Sequence, residues 1–365
     1  MKNYETDILV VGAGLTGLCL ATVLSKFFNK ITIIDKNQIY YNKITTNDMR
    51  TTAISEGSKK ILMDFNHWDN IKNHAQPINK IKIFDRYQSN KIDFINPRKS
   101  ENLGYIVENK FLKKAFIQKI ITNKKINFVD KCNIRSLYSD NDYAYALFDN
   151  IQIKTNLIIA ADGKFSKIRK KAKIPNYEKK YPHSAIVINL IHTKKHNNTA
   201  YEIFNKSGPL AILPMLNDEK KQFRSAVIWS CPKHFAHKFE KLDNKIAISI
   251  LNENIEKYIG KVKNINDQKV FDLSAHVNKS FYSNRLVFVG DSAHSVHPIA
   301  GQGWNLGLRD IESLDEIFKE NFDIIENDLT IDGRFRDDIW KRLKTNQSTL
   351  MDGWDKYFWR KYNEL

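Results

Sequence analysis

Cysteine is scarce in this chain: three in 365 residues, at Cys19, Cys132 and Cys231, far apart and with no CxxC pair. That excludes a disulfide framework and a cysteine zinc site, and it fits a reducing compartment. Long apolar runs are also missing. Residues 1–7 are polar and the first apolar run, 8–11, is too short for a signal-peptide core. No stretch approaches the roughly 18 apolar residues of a membrane span. No internal repeat or long low-complexity segment stands out. Positive charge is abundant, with 58 Lys+Arg against 41 Asp+Glu and a formal net charge of +17. Such a balance suits nucleic acid, an anionic membrane or acidic ligands, or it simply reflects a composition rich in Lys, Asn and Ile. The basic residues are scattered among acids rather than set in a stripe with aromatics, which argues against nucleic acid. The length allows a large core and two or three domains.

The chain opens as a βαβ unit. Residues 8–11 form a short buried-type strand, apolar side chains at Leu15, Leu18, Ala21, Leu24 and Phe28 predict a helix over 15–28, and 31–34 is a second β-branched strand. Between the first strand and the helix lies Gly12-Ala13-Gly14-Leu15-Thr16-Gly17, a GxGxxG. The first glycine makes the tight turn, the second lets a pyrophosphate approach the backbone, and the third lets helix and strand pack closely. The helix N-terminus at Leu15 and Thr16 offers bare N–H groups to the phosphates. Asp35, with Lys36 after it, ends the second strand, where a carboxylate can bind a ribose 2′-hydroxyl. A carboxylate there disfavours a 2′-phosphate, so FAD or NAD is expected rather than NADP.

Two further motifs follow buried-type strands. Strand 157–161 is closed by Asp162-Gly163, with Ser166 and Arg169 beyond. Strand 286–289 is closed by Gly290-Asp291, then His294, His297, Pro298, the glycine loop Gly301-Gln302-Gly303-Trp304, and a helix predicted over 305–318. An Asp at the tip of a parallel strand faces the crevice where ligands bind, and the N-terminus of the helix at Asn305 can stabilise negative charge. Short strands at 184–191, 201–204 and 225–229 make the middle antiparallel in character, and 334–359 reads as a Trp-containing helical tail.

Together these residues resemble the group A flavoprotein monooxygenases, the class that includes para-hydroxybenzoate hydroxylase. Within it the chain resembles the ubiquinone-biosynthesis hydroxylases, the 2-polyprenylphenol hydroxylases. The GxGxxG, Asp-Gly and Gly-Asp motifs occur in order. Residues 48–55 (DMRTTAIS), 104–109 (GYIVEN), 208–215 (GPLAILPM) and 290–310 (GDSAHSVHPIAGQGWNLGLRD) add subfamily character. The similarity runs from about residue 5 to about 358.

The resemblance implies an α/β fold. A Rossmann-like FAD-binding domain, para-hydroxybenzoate hydroxylase-like, spans 1–175 and 281–330. An inserted, mainly antiparallel β-sheet substrate domain spans 176–280, with a contribution from 76–100, and C-terminal helices occupy 331–365. The resemblance also assigns residues. The glycine turn and Asp35 hold the ADP half of FAD, Arg50 lies near the cofactor, and Asn109 falls where many members carry an arginine directed at FAD. Asp162 and Gly163 serve FAD and a transient NAD(P)H. Asp291 bonds the ribityl chain, and Pro298 with Gly301–Gly303 flanks the flavin ring. The His297, Pro298 and Gly301 loop holds the catalytic candidates, although no motif identifies the group that polarises the substrate. From the residues alone, Arg50 serves the cofactor or a surface ion pair, His294 and His297 orient their loop or give a proton, and Trp304 packs or faces the substrate.

The implied reaction uses NAD(P)H and O2, through a C4a-hydroperoxyflavin, to hydroxylate a polyprenylated phenol in ubiquinone biosynthesis. The expected setting is cytoplasmic, peripheral at the inner face of an anionic membrane, with a ubiquinone-biosynthesis complex as possible partner. Relatives continue beyond the position of Phe358, so docking is expected either to weaken here or to rest on the basic aromatic stretch 354–362. The alternatives are an FAD-binding, non-hydroxylating partner of such a complex and a prenyl-lipid flavin reductase. A flavin halogenase is disfavoured, because no two of the six Trp are spaced as in WxWxIP.

Overall fold

The computed structural model describes residues 2–38, 48–85, 91–96, 101–297 and 301–320. Two eight-stranded sheets and one three-stranded sheet organise the chain. The first sheet has the central order Tyr282–Ser283, Leu286–Phe288, Ile151–Ala160, Lys2–Val11, Ile31–Ile34, Ile126–Val129. Its four inner pairings are parallel. The inner ends of these strands are buried on both faces, as parallel strands covered by helices must be. One face packs on the helices Leu15–Leu24, Asn109–Ile121 and Gly303–Glu320 through Leu18, Phe116, Leu308 and Phe318; the other covers Phe148, Ile168 and Phe281.

The first strand runs back to Lys2, longer than residues 8–11, because its polar beginning pairs in register with Ile151–Ala160 from Lys2↔Ile151 onward. The opening helix stops at Leu24, short of Phe28. Lys26 and Phe27 bond back only three residues, and the Asp7 carboxylate captures the Asn29 and Lys30 N–H groups to turn the chain into the next strand. Phe28 kept the apolar period because it still packs in the core, edge-on to Phe318.

The second sheet has the order His294–Ser295, Val262–Asn278, Asn176–His192, Phe223–Pro232, Gly208–Met215, Thr199–Asn205, Lys80–Asp85, Lys91–Ile95. It is antiparallel except where Lys80–Asp85 runs parallel to Thr199–Asn205. Period-two alternation divides its side chains. Leu210, Ile212, Val227 and Trp229 pack under the helices Lys233–Glu240 and Asn244–Ile259, leaving Ala211, Leu213 and Ile228 on the opposite face. The small sheet Thr51–Ser55, Gly104–Glu108, Ala75–Ile78 bridges the two through Ile78, Ile106 and Ala200. The predicted helix over 305–318 is Gly303–Glu320. The predicted tail 334–359 and Pro298 lie outside the described residues. Among the described residues no helix is long and apolar enough to cross a membrane.

Candidate active site

Parallel register brings the motifs together. Val11 is level with Ile34 on one side and Ala160 on the other, and Ala160 is level with Phe288. The next residues outward are Gly12, then Asp35, then Ala161-Asp162, then Val289-Gly290-Asp291. All lie at the carboxyl edge of the sheet, where open α/β sheets bind ligands.

The three glycines of the first turn have separable duties. A Cβ on Gly12, whose φ is +113°, would lie 2.4 Å from the Ala161 carbonyl oxygen, and one on Gly17 would lie 1.9 Å from that of Gly12. The protein's own packing requires both. A Cβ on Gly14 meets nothing within 4 Å. Gly14 is exposed at the start of a helix that has no side-chain cap and no acid in its first turn. A bare helix N-terminus facing open space fits a pyrophosphate. Asp35 flanks it, with Oδ2 accepting the Ala13 N–H at 2.7 Å and Oδ1 that of Asn37 at 2.7 Å. Lone pairs remain for ribose hydroxyls, and Lys36 is exposed alongside. Leu15 packs inward against the first core.

Thr16 links this turn to the Gly-Asp turn: a Cβ on Gly290, at φ +57°, would meet Thr16 Oγ1 at 2.9 Å. The Gly290 N–H donates to Asp310 Oδ2 at 2.6 Å, and Ser292 Oγ donates to the Ala160 carbonyl at 2.6 Å. Asp291 is thereby left open to solvent. The protein packed round it raises its carboxyl, against the charges of His294, Arg50 and Lys164. A solvent-open acid hemmed in by protein marks the floor of a cleft. The Asp-Gly loop stands opposite. Asp162 Oδ2 accepts the Lys167 and Ile168 N–H groups at 2.7 and 3.1 Å, and Gly163, at φ +80°, faces open space. Burial raises the Asp162 carboxyl, and its Oδ1 is buried without a hydrogen-bond partner.

Arg50 is clamped by Asp48 through Nε–Oδ1 and Nη2–Oδ2 contacts, both at 2.8 Å, with its side chain 53% exposed. Burial opposes ionisation of Asp48, but Arg50 overcomes it and holds the carboxyl down at about 2. Asn109 is buried, and its amide accepts from Thr52 Oγ1 at 2.6 Å and donates to Asp48 at 3.3 Å. It therefore steadies the Asp48–Arg50 clamp from behind.

The glycine loop is held by Asn305, whose Nδ2 donates to the Ala53 and Gly301 carbonyls at 2.9 and 3.1 Å, while Oδ1 accepts the Ser55 N–H. A Cβ on Gly303 would meet nothing within 4 Å. Trp304 packs into the first core, with its ring 6.1 Å from Phe116. His294 is buried and bonds Asp310 at 2.8 Å. The His297 ring stands edge-on to Tyr181 at 4.9 Å, and burial lowers its pKa.

Between this loop and the free face of the second sheet lies a mostly apolar cavity of about 450 Å³. Gly301 and Gln302 close one side, Ala211, Leu213 and Ile228 form the sheet wall, and Phe94 and Phe204 stand at its exposed margin. Glu202 also lines it.

The fold is that of the para-hydroxybenzoate hydroxylase-like FAD monooxygenases. Residues 5–321 match the family described as FAD binding domain, and the chain belongs to that family. It is an FAD-dependent enzyme of the aromatic monooxygenase family. Over 311 residues it is 29% identical to the ubiquinone hydroxylase UbiL of Rhodospirillum rubrum, covering 85% of this chain and 71% of that one. It is 26% identical to the Escherichia coli 3-demethoxyubiquinol 3-hydroxylase, covering 87% and 80%. Among solved structures, p-nitrophenol 4-monooxygenase PnpA of Pseudomonas putida superposes with a TM-score of 0.72 at 15% identity, covering 90% of this chain and 82% of that one, and so bears on the fold.

No motif in the sequence marks a role for Asp48, Arg169 or Glu202. Buried Arg169 joins the motifs by donating to the Ser292 and Lys164 carbonyls at 3.1 and 2.9 Å and meeting His276 Nε2 at 3.0 Å. The only sequence signal for Glu202 was a carboxylate at an alternating position between Ala200 and Phe204.

Proposed function

We propose that this chain hydroxylates the aromatic ring of a polyprenylated phenol in ubiquinone biosynthesis, working peripherally at a membrane. The observation that carries the proposal is the cavity between the glycine loop and the sheet. A volume near 450 Å³ suits a ring with a short apolar extension, so a long prenyl tail must leave it. Phe94 lines the cavity at the edge strand, and the exposed Ile92, on the same strand face, extends an apolar path outward from it. Relatives named as ubiquinone hydroxylases support the same substrate class.

The glycine turn, Asp35, the Arg50 clamp, Asp162-Gly163, Gly290-Asp291 and the loop 301–305 are the residues that would hold FAD. When bound, FAD reduced by NAD(P)H supplies the activation of O2 for transfer of one oxygen atom. The protein's part is to orient and to exclude water. The glycine loop places open backbone against the cavity, Asn305 fixes that loop, and the apolar sheet face keeps the ring's surroundings dry. The net charge of +17 favours anionic lipid, at about 1 kcal/mol per basic residue near the surface.

The test is complementation of strains blocked at each ubiquinone hydroxylation step, with product mass and ring position read out. Restoration of one step supports the proposal. Restoration of none, with a product that gains only hydrogen, would point to a prenyl-lipid reductase. Binding of FAD without phenol-stimulated NAD(P)H oxidation would point to a structural partner.

A further inference from the structure

We infer that Glu202 is the group in the cavity that binds the phenolic hydroxyl of the substrate and takes its proton. The inference rests on the phenol-hydroxylase proposal above. Strand Thr199–Asn205 presents Ala200, Glu202 and Phe204 to the cavity. The lateral neighbours of Glu202 in register are Ala211 and Ile83, neither of which can pair with a carboxylate. Among the described residues the Glu202 carboxylate has no hydrogen-bond or ion-pair partner, and burial is the one influence on its charge. The cavity wall facing it from the loop is Gly301 and Gln302, and from the small sheet Thr51 and Ala53. Among the described residues of the lining Tyr201 is the other titratable one, and Asp85 stands farther along the neighbouring strand, level with Phe204. An unpaired carboxylate on an apolar wall costs folding energy, and it is accounted for if a ligand hydroxyl completes it. Burial alone raises its pKa, to about 7, which suits a base working near neutral pH.

The phenol O–H bond breaks, its electron pair stays on the phenol oxygen, and the proton forms a new O–H bond on the Glu202 carboxylate. The ring becomes more electron-rich, as attack on an electrophilic oxygen requires. Glu202 then releases the proton to water.

Glu202→Gln keeps the shape and removes the base. Phenol binding and turnover are read separately on the FAD-loaded enzyme, using a prenylated phenol and its methyl ether. Flavin content is read alongside, so that each variant is compared at full FAD loading. In the wild type kcat/KM for the phenol rises with pH through about 7. Glu202→Gln loses that rise and about a hundredfold of kcat/KM above it. The wild type's tighter binding of phenol than of methyl ether disappears in Glu202→Gln and persists in Glu202→Asp. A separate readout is stability. A carboxyl raised from 4.5 to about 7 stabilises the fold below pH 4.5 and loses that contribution as pH rises through 7. Glu202→Gln should therefore unfold at a higher temperature than wild type at pH 8 and not at pH 4. An unchanged pH profile together with an unchanged phenol preference overturns the role of Glu202. Glu202-dependent phenol binding without oxygenation in the wild type overturns the hydroxylase proposal and leaves Glu202 as the phenol-binding group.

Discussion

Asp310 Oδ2 accepts two hydrogen bonds, from the Gly290 N–H at 2.6 Å and from His294 Nε2 at 2.8 Å, so one carboxylate oxygen on the closing helix fixes both ends of the Gly-Asp turn. Burial opposes protonation of His294, but the charge and hydrogen bond of Asp310, with Asp291, outweigh it and hold the His294 pKa above its ordinary value. Asp310→Ala should release the turn and lower FAD affinity at least tenfold, measured by flavin fluorescence on titration. A raised histidine stabilises the fold below its unfolded pKa of 6.5, and that contribution is lost as pH rises through the raised folded value. The urea midpoint should therefore fall as pH is raised above 6.5, and Asp310→Ala should flatten that fall.

The glycine turn separates folding from binding. Gly17→Ala forces a Cβ to within 1.9 Å of the Gly12 carbonyl oxygen and should destabilise the FAD-free protein by roughly 3 kcal/mol, read by urea unfolding. Gly14→Ala has open space around it. It should change that stability by no more than about 1 kcal/mol while weakening FAD at least tenfold. Equal effects of the two on unfolding would remove the case for a pyrophosphate at Gly14.

Arg50 is held by Asp48 but directed to the cleft, close enough to Asp291 for their charges to interact. Its side chain is 53% exposed, so Arg50→Ala should cost less than about 1 kcal/mol in stability. It should nevertheless lower FAD affinity several-fold at low salt. Asn109→Ala should weaken FAD in the same direction and less steeply, because it acts through Asp48.

Acid should unfold the protein early. Burial, reinforced by nearby positive charge, pushes His67 and His276 down to about 3. Their neutral forms contribute stability that is complete above pH 6.5 and is lost as pH falls towards 3. The urea midpoint should drop steeply below pH 6. His67→Gln, which can still bond Thr22, should lessen the drop.

The site was legible where backbone geometry dictates residue type. Gly12, Gly14, Gly17, Asp35 and Asp291 sit where a strand must turn into a loop, and local sequence shows that. The helix end at Leu24 was not legible, because the chain tightens there and is then drawn into the next strand by the Asp7 carboxylate, whose bonds to Asn29 and Lys30 span more than twenty residues. Asn305 and Arg169 were similarly hidden: each joins segments more than a hundred residues apart, and only the fold makes those neighbours. Trp304 could be read either way from sequence, and the fold decides for packing.

The central claim is that the cleft and cavity add one oxygen atom from O2 to a phenol ring. The most direct measurement is the mass of the product formed from a prenylated phenol by the FAD-loaded protein with NAD(P)H under isotopically heavy O2. The account predicts a ring-hydroxylated product carrying one heavy oxygen atom, with NAD(P)H oxidation stimulated by the phenol. A product with no added oxygen, or with oxygen drawn from water, would contradict it.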